Sequence, residues 1–200
     1  MLPLNRKKMR RVTGCGLAFI FLLALAVPFA SSLAAVDQPP LKGQLEGNFT
    51  LLDEPVPAPN KTMSGEFGEA VSIADYSGQV VLVNFWATWC APCVREMPSL
   101  DRLQAALAEE GFKVMAVSID RGGIDVVLPF YQRLGLKNLA IFLDPKGEYA
   151  QEYGLRGLPS TYLVDRQGHL VGGSEGPLEW DAPEVLDLIR HYLADKSKDS

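Results

Sequence analysis

The sequence predicts an α/β fold in which a mixed central sheet carries helices on both faces. Continuous β-branched and apolar runs, such as the one at 79–86, are typical of central strands that are buried on both sides. They alternate with segments in which apolar residues recur every three or four positions, as in amphipathic helices. The last two predicted strands instead flank a turn at 165–168, and strands joined by a hairpin run antiparallel. Alternation followed by a hairpin indicates a mixed sheet.

The first half of the predicted domain contains three strands and one helix. A turn signal at Gly68 precedes a short strand at 70–73, and the run QVVLVNFW predicts the central strand at 79–86. Apolar residues at steps of three and four then predict a helix over 92–107; they are Met97, Leu100, Leu103 and Leu107. The run FKVMAVSI predicts a second buried strand at 112–119.

The second half predicts smaller elements and the closing hairpin. The segment 124–134 is expected to be a helix that ends before Gly135, because glycine commonly terminates helices. A short strand at 140–143 and a helical turn at 148–153 follow, and strands at 160–164 and 169–173 form the hairpin. The last predicted element is an amphipathic helix at 182–193, with Pro183 in its first turn.

Residues 1–36 have the pattern of an export signal. Basic residues at 6–11 precede an apolar run and then small residues, which predicts either a signal peptide or an uncleaved signal anchor. Both interpretations place the rest of the chain on the far side of a membrane, because the basic flank stays cytoplasmic. We expect a Pro-rich linker at 37–57, the folded domain at 58–195 and a charged tail at 196–200.

The charge distribution excludes nucleic acid as a partner. Five of the 19 basic residues lie at 6–11, and all 24 acidic residues come after residue 36. The chain after residue 36 therefore carries a net charge of −10, which would repel a phosphate backbone.

The cysteine count excludes a disulfide-rich scaffold and argues against a structural zinc site. Cys15 lies in the N-terminal apolar run, so the domain holds one pair, Cys90 and Cys93, which cannot form a disulfide-rich scaffold. A structural zinc site needs four ligands, and only His169 and His191 could supplement the pair. We read both histidines as structural or solvent-exposed, and we expect no metal or other cofactor.

The pair has the spacing Cys-x-x-Cys at the point where a buried strand becomes a helix. Cys90 falls at the predicted helix start, where unpaired N–H groups and the helix dipole stabilise a thiolate. Cys93 lies three residues later on the same helical face. A thiolate at Cys90 can attack a disulfide, and Cys93 can then resolve the mixed disulfide. This placement, in an exported chain, predicts redox chemistry.

Three separated segments resemble a known family. The run NFWATWCAPC at 84–93 with Glu96-Met97-Pro98, the run GLPST at 157–161 with VDRQG at 164–168, and GPLEW at 176–180 are similar to the thioredoxin-fold, membrane-tethered thiol–disulfide oxidoreductases called TlpA, ResA and CcmG. The last run looks most like TlpA. The resemblance covers roughly residues 58–195 and implies a thioredoxin-like fold.

The resemblance implies roles for individual residues. Cys90 would be the exposed nucleophile and Cys93 the resolving thiol of a redox-active disulfide. Pro159 matches the cis-proline of the family, and Leu158 before it would offer backbone groups to a substrate strand. We also place Trp89, which precedes Cys90, and Pro92, which lies between the two cysteines, among the substrate-binding residues.

Glu96 matches a glutamate that tunes the cysteines in ResA-like members. Asn84 stands where thioredoxin has a buried strand aspartate, and an amide cannot take a proton, so Glu96 is the better candidate for handling the proton of Cys93. The alternative is an ordinary solvated helix carboxylate. Trp86, unlike Trp89, is expected to pack in the core.

The cysteine pair predicts reduction of disulfides in client proteins, and the resemblance implies that this occurs during cytochrome c or cytochrome oxidase maturation. The partners would be a client with an oxidised cysteine pair and a membrane thiol donor. The protein would sit on the bacterial inner membrane facing the periplasm, or be soluble in the periplasm if the signal is cleaved. The alternative is delivery of Cu(I) held between Cys90 and Cys93, because soft thiolates suit that ion.

Overall fold

The computed structural model describes residues 38–194. The predicted signal at 1–36 and the charged tail at 196–200 lie outside these residues. Between residues 38 and 194, no helix is both long enough and apolar enough to cross a membrane.

A single mixed sheet forms the centre of the described chain. Its strands are β1 (Phe49–Pro57), β2 (Met63–Gly65), β3 (Ala70–Val71), β4 (Val80–Trp86), β5 (Phe112–Ser118), β6 (Phe142–Leu143), β7 (Ser160–Val164) and β8 (His169–Glu175). Their spatial order is β1-β8-β7-β4-β5-β6-β2-β3. Strands β4, β5 and β6 are parallel, and the other neighbours are antiparallel. The predicted mixed sheet is confirmed.

The helices cover both faces of this sheet, as predicted. They are α1 (Ala91–Leu107), α2 (Ile124–Leu134), α3 (Glu148–Glu152) and α4 (Pro183–Ala194). Alternate residues of β4 point to opposite faces: Leu82 joins a core cluster with α1, α2 and α4, whereas Val83 joins a second cluster with α3. Every residue of β4 is buried, as the continuous apolar run predicts.

The predicted Pro-rich linker at 37–57 is wrong from Phe49 onward. Phe49–Pro57 is the edge strand β1, which pairs antiparallel with β8 and shifts register between Leu51 and Val56. An edge strand accommodates Pro55 and Pro57 because one side of its backbone needs no ladder partner. The preceding segment also packs on the domain, since Leu45 is buried and Gln44 accepts a hydrogen bond from the backbone N–H of Glu179.

The other differences from the predicted elements are small. The helix α2 has the predicted bounds, and α1 begins one residue earlier than predicted. The strand predicted at 70–73 ends at Val71, because Ser72 and Asp75 form a capping box that begins a short 3-10 helix at Ile73–Tyr76. Strand β2 was not predicted; three residues are too few to show a period.

Candidate functional site

Cys90 occupies the N-cap position of α1, immediately after the loop that leaves β4. Its Sγ accepts a hydrogen bond from the backbone N–H of Cys93 at 3.3 Å, and the two cysteines are joined by a disulfide. Cys90 keeps 7% of its surface exposed and Cys93 none. The predicted helix-start position of Cys90 is confirmed. The N–H groups of the first turn and the helix dipole stabilise negative charge on Cys90 when the pair is reduced.

A buried carboxylate holds the loop in front of Cys90. The carboxylate of Asp120 accepts hydrogen bonds from the backbone N–H and the hydroxyl of Thr88, each at 2.8 Å, and from the hydroxyl of Ser118 at 2.8 Å. Asp120 is 4% exposed and follows the end of β5, beside the end of β4. This set of hydrogen bonds, a clamp on the loop, was not predicted from the sequence. The signal was a Ser-x-Asp pattern at the carboxyl end of a buried parallel strand.

Glu96 is buried one turn after Cys93, with 1% of its surface exposed. Its Oε1 accepts a hydrogen bond from Nδ2 of Asn84 at 2.8 Å. Its Oε2 accepts one from the indole N–H of Trp180 at 3.0 Å and one from the backbone N–H of Leu178 at 3.3 Å. The alternative of a solvated helix carboxylate is therefore excluded.

Burial dominates the acidity of this carboxyl. Removal from water disfavours the charged form and raises the pKa of Glu96 from its usual 4.5 to about 7, although the hydrogen bonds from Trp180, Asn84 and Leu178 oppose the rise. The nearby Glu179 carboxylate adds a smaller increase to the same pKa. A pKa near neutrality allows Glu96 to take up and release a proton under ordinary conditions.

The peptide bond between Leu158 and Pro159 is cis, as predicted. It immediately precedes β7, whose first residue, Ser160, is in register with Phe85 near the carboxyl end of β4. The cis-proline therefore lies at the same edge of the sheet as the loop that leads to Cys90. Pro159 is buried and Leu158 is half-buried.

The two tryptophans beside the motif differ as expected. Trp89 is 69% exposed, next to Cys90, whereas Trp86 is fully buried and packs against Phe130 with ring centroids 5.0 Å apart. The prediction that Trp86 packs in the core is confirmed. Pro92 is half-buried in the first turn of α1.

The described residues give no support to a metal site. Across 38–194, no group of three or more His, Cys, Asp or Glu side chains is placed to hold a metal ion. His169 lies at the start of β8, where its Nδ1 is 3.6 Å from Asp165, and His191 contacts the ring of Tyr192 on α4.

Cys90 at a helix start and cis-Pro159 at the same sheet edge define a thioredoxin-fold thiol–disulfide oxidoreductase. The chain belongs to the AhpC/TSA family, which it matches over residues 56–172. The predicted resemblance to the TlpA, ResA and CcmG group is confirmed by the relatives that follow.

Similar proteins include curated and structurally characterised oxidoreductases. The thiol-disulfide oxidoreductase ResA of Bacillus thuringiensis subsp. konkukian is 33% identical over 136 residues, covering 68% of this chain and 74% of that protein. A crystal structure from Chlorobium tepidum, provisionally named thiol:disulfide interchange protein DsbE, aligns with a TM-score of 0.65 and 31% identity over 72% of this chain and 99% of that one. StoA from Bacillus subtilis aligns with a TM-score of 0.52 and 28% identity over 60% of this chain and 90% of that one.

Proposed function

We propose that the protein reduces disulfides in client proteins on the periplasmic side of a bacterial inner membrane. The observation that carries the proposal is the asymmetry of the cysteine pair. Cys90 is largely buried at the helix N-terminus but keeps 7% of its surface exposed, whereas Cys93 has none exposed. A nucleophile needs access to its target and a stabilised thiolate, whereas a resolving thiol has to reach only its neighbour.

The first step is attack by Cys90. In the reduced protein the Cys90 thiolate attacks one sulfur of the client disulfide, forms a mixed disulfide and releases the other client sulfur as a thiolate, which takes a proton from solvent. The backbone beside Leu158 and cis-Pro159, together with the exposed ring of Trp89, provides the surface on which the client strand rests.

The second step is resolution by Cys93. Its thiol loses a proton and attacks Sγ of Cys90, so the Cys90–Cys93 disulfide forms and the second client sulfur leaves as a thiolate. We assign the proton of Cys93 to Glu96, which lies one turn later on α1 and whose pKa of about 7 suits a general base. Two electrons pass from the pair to the client, and the pair is left oxidised.

The direction of electron flow follows from the residues between the cysteines. A strong oxidant needs a reduced form that is stabilised by a cation or histidine near the thiolate. Ala91 and Pro92 supply neither charge nor an extra donor. The reduced form gains little, which favours a reductant. In an oxidising compartment such a protein needs a membrane thiol donor that reduces it after each cycle.

The N-terminal segment and the resemblance suggest the setting. Residues 1–36 would export the domain or anchor it to the inner membrane. The clients would be proteins of cytochrome c or cytochrome oxidase maturation, whose haem- or metal-binding cysteines must be reduced before they are loaded.

A mixed-disulfide trap tests the proposal. In Cys93→Ser the resolving thiol is missing, so we expect a covalent complex with a client, which mass spectrometry can identify after non-reducing electrophoresis. The matched control is Cys90→Ser, which should trap nothing because its remaining thiol is buried. Reduction of a model disulfide by the wild type, and failure by both variants, completes the test. Equal trapping by the two variants would refute the assignment of roles.

A further inference from the structure

The side-chain oxygen of Asn84 is a hydrogen-bond acceptor to which no described residue donates. Asn84 lies in the middle of β4 and is completely buried. Its Nδ2 donates to Oε1 of Glu96 at 2.8 Å and to Oγ1 of Thr161 at 2.9 Å. Its Oδ1 is buried and has no hydrogen-bond partner among the described residues. A buried acceptor without a donor costs free energy, so its presence requires an explanation.

The geometry around Glu96 fixes where a proton can reside on it. Oε2 faces the backbone N–H of Leu178 and the indole N–H of Trp180, neither of which can accept a hydrogen bond. A proton on Oε2 would therefore point at two donors. Oε1 faces Asn84, whose side chain carries both a donor and an acceptor. The proton of a neutral Glu96 thus belongs on Oε1.

We propose that Asn84 is a positioning residue that rotates its amide by a half-turn when Glu96 takes up a proton. This inference rests on the proposed role of Glu96 as the base for Cys93. With Glu96 charged, Nδ2 of Asn84 donates to Oε1 and to the hydroxyl of Thr161, as in the structure. With Glu96 neutral, Oδ1 occupies that place and accepts from the Oε1 hydroxyl.

Thr161 completes the exchange, because a hydroxyl can accept or donate by rotating its hydrogen. In the charged state its Oγ1 accepts from Nδ2 of Asn84, and in the neutral state it donates to Oδ1. In each state the Asn84 amide makes two hydrogen bonds, one with Glu96 and one with Thr161. Oδ1 has no partner in the charged state, and Nδ2 has none in the neutral state. No covalent bond is made or broken at Asn84; the proton comes from Cys93 during turnover and from solvent in the oxidised protein.

Among the described residues, Glu179, in the loop between β8 and α4, is the charged group that shifts the pKa of Glu96. The titratable thiols of Cys90 and Cys93 lie at the start of the same helix, α1, and are joined in a disulfide. Strands β4 and β7 contribute the neutral side chains of Asn84 and Thr161. Arg102 is paired with Asp181 and Glu179 at the surface, so these charges partly compensate one another. Asn84 is consequently the neighbour that can hydrogen-bond to Glu96 in both protonation states, as a donor to the charged form and as an acceptor from the neutral form.

NMR of the full-length, isotope-labelled chain in detergent tests the inference. The oxidised form is used, because its disulfide removes the two thiol titrations. We expect the Glu96 carboxyl carbon to titrate near pH 7 and the Asn84 side-chain amide signals to shift with the same midpoint. The nuclear Overhauser contact between the Asn84 amide protons and Thr161 should weaken as Glu96 becomes protonated.

Trp180→Phe supplies the second measurement. Trp180 donates a stronger hydrogen bond to the charged form of Glu96 than to the neutral form, so its loss should raise the Glu96 midpoint, and the Asn84 midpoint should move with it. If Glu96 titrates while the Asn84 signals stay constant, the amide rotation is refuted and the role of Glu96 stands. If Glu96 does not titrate between about pH 5 and 9, the role of Glu96 as a base and the rotation both fail.

Discussion

The indole N–H of Trp180 donates to Oε2 of Glu96 over 3.0 Å, linking the loop before α4 to the second turn of α1. Both side chains are 1% exposed. The backbone N–H of Trp180 also donates to Oγ of Ser99, so the loop is attached to α1 at two points. The hydrogen bond to Glu96 is strongest when the carboxyl is charged. Trp180 therefore opposes the effect of burial on the pKa of Glu96.

Replacement of Trp180 by Phe should raise the pKa of Glu96 above its value of about 7. A hydrogen bond to a charged group contributes about 1.5–3 kcal/mol and one to a neutral group about 0.5–1.5 kcal/mol, and the difference between them corresponds to a rise of about one pH unit. The pH at which the resolution rate is half-maximal should rise by the same amount, as measured by stopped-flow decay of a mixed disulfide. The matched control is Trp86→Phe, since Trp86 is also buried and makes no hydrogen bond to Glu96. An equal displacement of the midpoint in both variants would contradict the prediction.

The raised pKa of Glu96 also predicts how stability depends on pH. The folded protein holds the Glu96 proton more tightly than the unfolded chain does, whose carboxyl has its usual pKa near 4.5. The stabilisation is therefore fully present below pH 4.5 and is lost as the pH rises through about 7. The loss is on the order of 3 kcal/mol.

Denaturant unfolding of the oxidised protein at a series of pH values measures this loss. The comparison is with Glu96→Gln, which keeps the size of the side chain and cannot ionise. Between about pH 4.5 and 7, the unfolding free energy of the wild type should fall relative to that of Glu96→Gln. The same variant should slow resolution by Cys93 and leave attack by Cys90 intact. If the difference in unfolding free energy between the two proteins stays constant over this pH range, the pKa of Glu96 is not raised by folding.

The sequence predicts the elements of the site better than its hydrogen bonds. Cys90, Cys93 and Pro159 belong to local motifs, and α2 has the predicted bounds because its periodicity ends at a glycine. The partners of Glu96 come from residues 84 and 178–180, which are distant in the chain, so no local pattern joins them. Strand β1 was missed because prolines suit both a linker and an edge strand.

The clamp on Thr88 predicts a specific cost for losing one hydroxyl. Thr88→Val keeps the shape of the side chain and removes the hydrogen bond to Oδ1 of Asp120. We expect a loss of about 1–3 kcal/mol in unfolding free energy, because the carboxylate stays buried with one donor fewer. Amide hydrogen exchange at Thr88 and Cys90 should also become faster. The control is Thr62→Val, where the side chain is exposed. Unchanged exchange at the loop would show that Asp120 does not hold it.

The burial difference between the two cysteines predicts unequal alkylation. In the reduced protein at neutral pH, iodoacetamide should modify Cys90 at least roughly tenfold faster than Cys93, since a thiol reacts as an accessible thiolate. Peptide mapping at several reaction times gives the two rates separately. The variant Cys90→Ser checks that slow labelling of Cys93 reflects burial rather than prior reaction at its neighbour. Comparable rates at the two thiols would remove the basis of their assigned roles.

The reduction potential decides the direction of electron flow. Because Ala91 and Pro92 give no extra stabilisation to the Cys90 thiolate, the pair should have a potential on the order of −270 to −200 mV. Equilibration with glutathione buffers of known ratio measures it. Pro92→His places a cationic donor between the cysteines and should make the potential more positive, towards the strongly oxidising value of about −120 mV. Pro92→Ala, which adds no charge, is the control. A wild-type potential near about −120 mV would overturn the reductant assignment, because the pair would then take electrons from its clients.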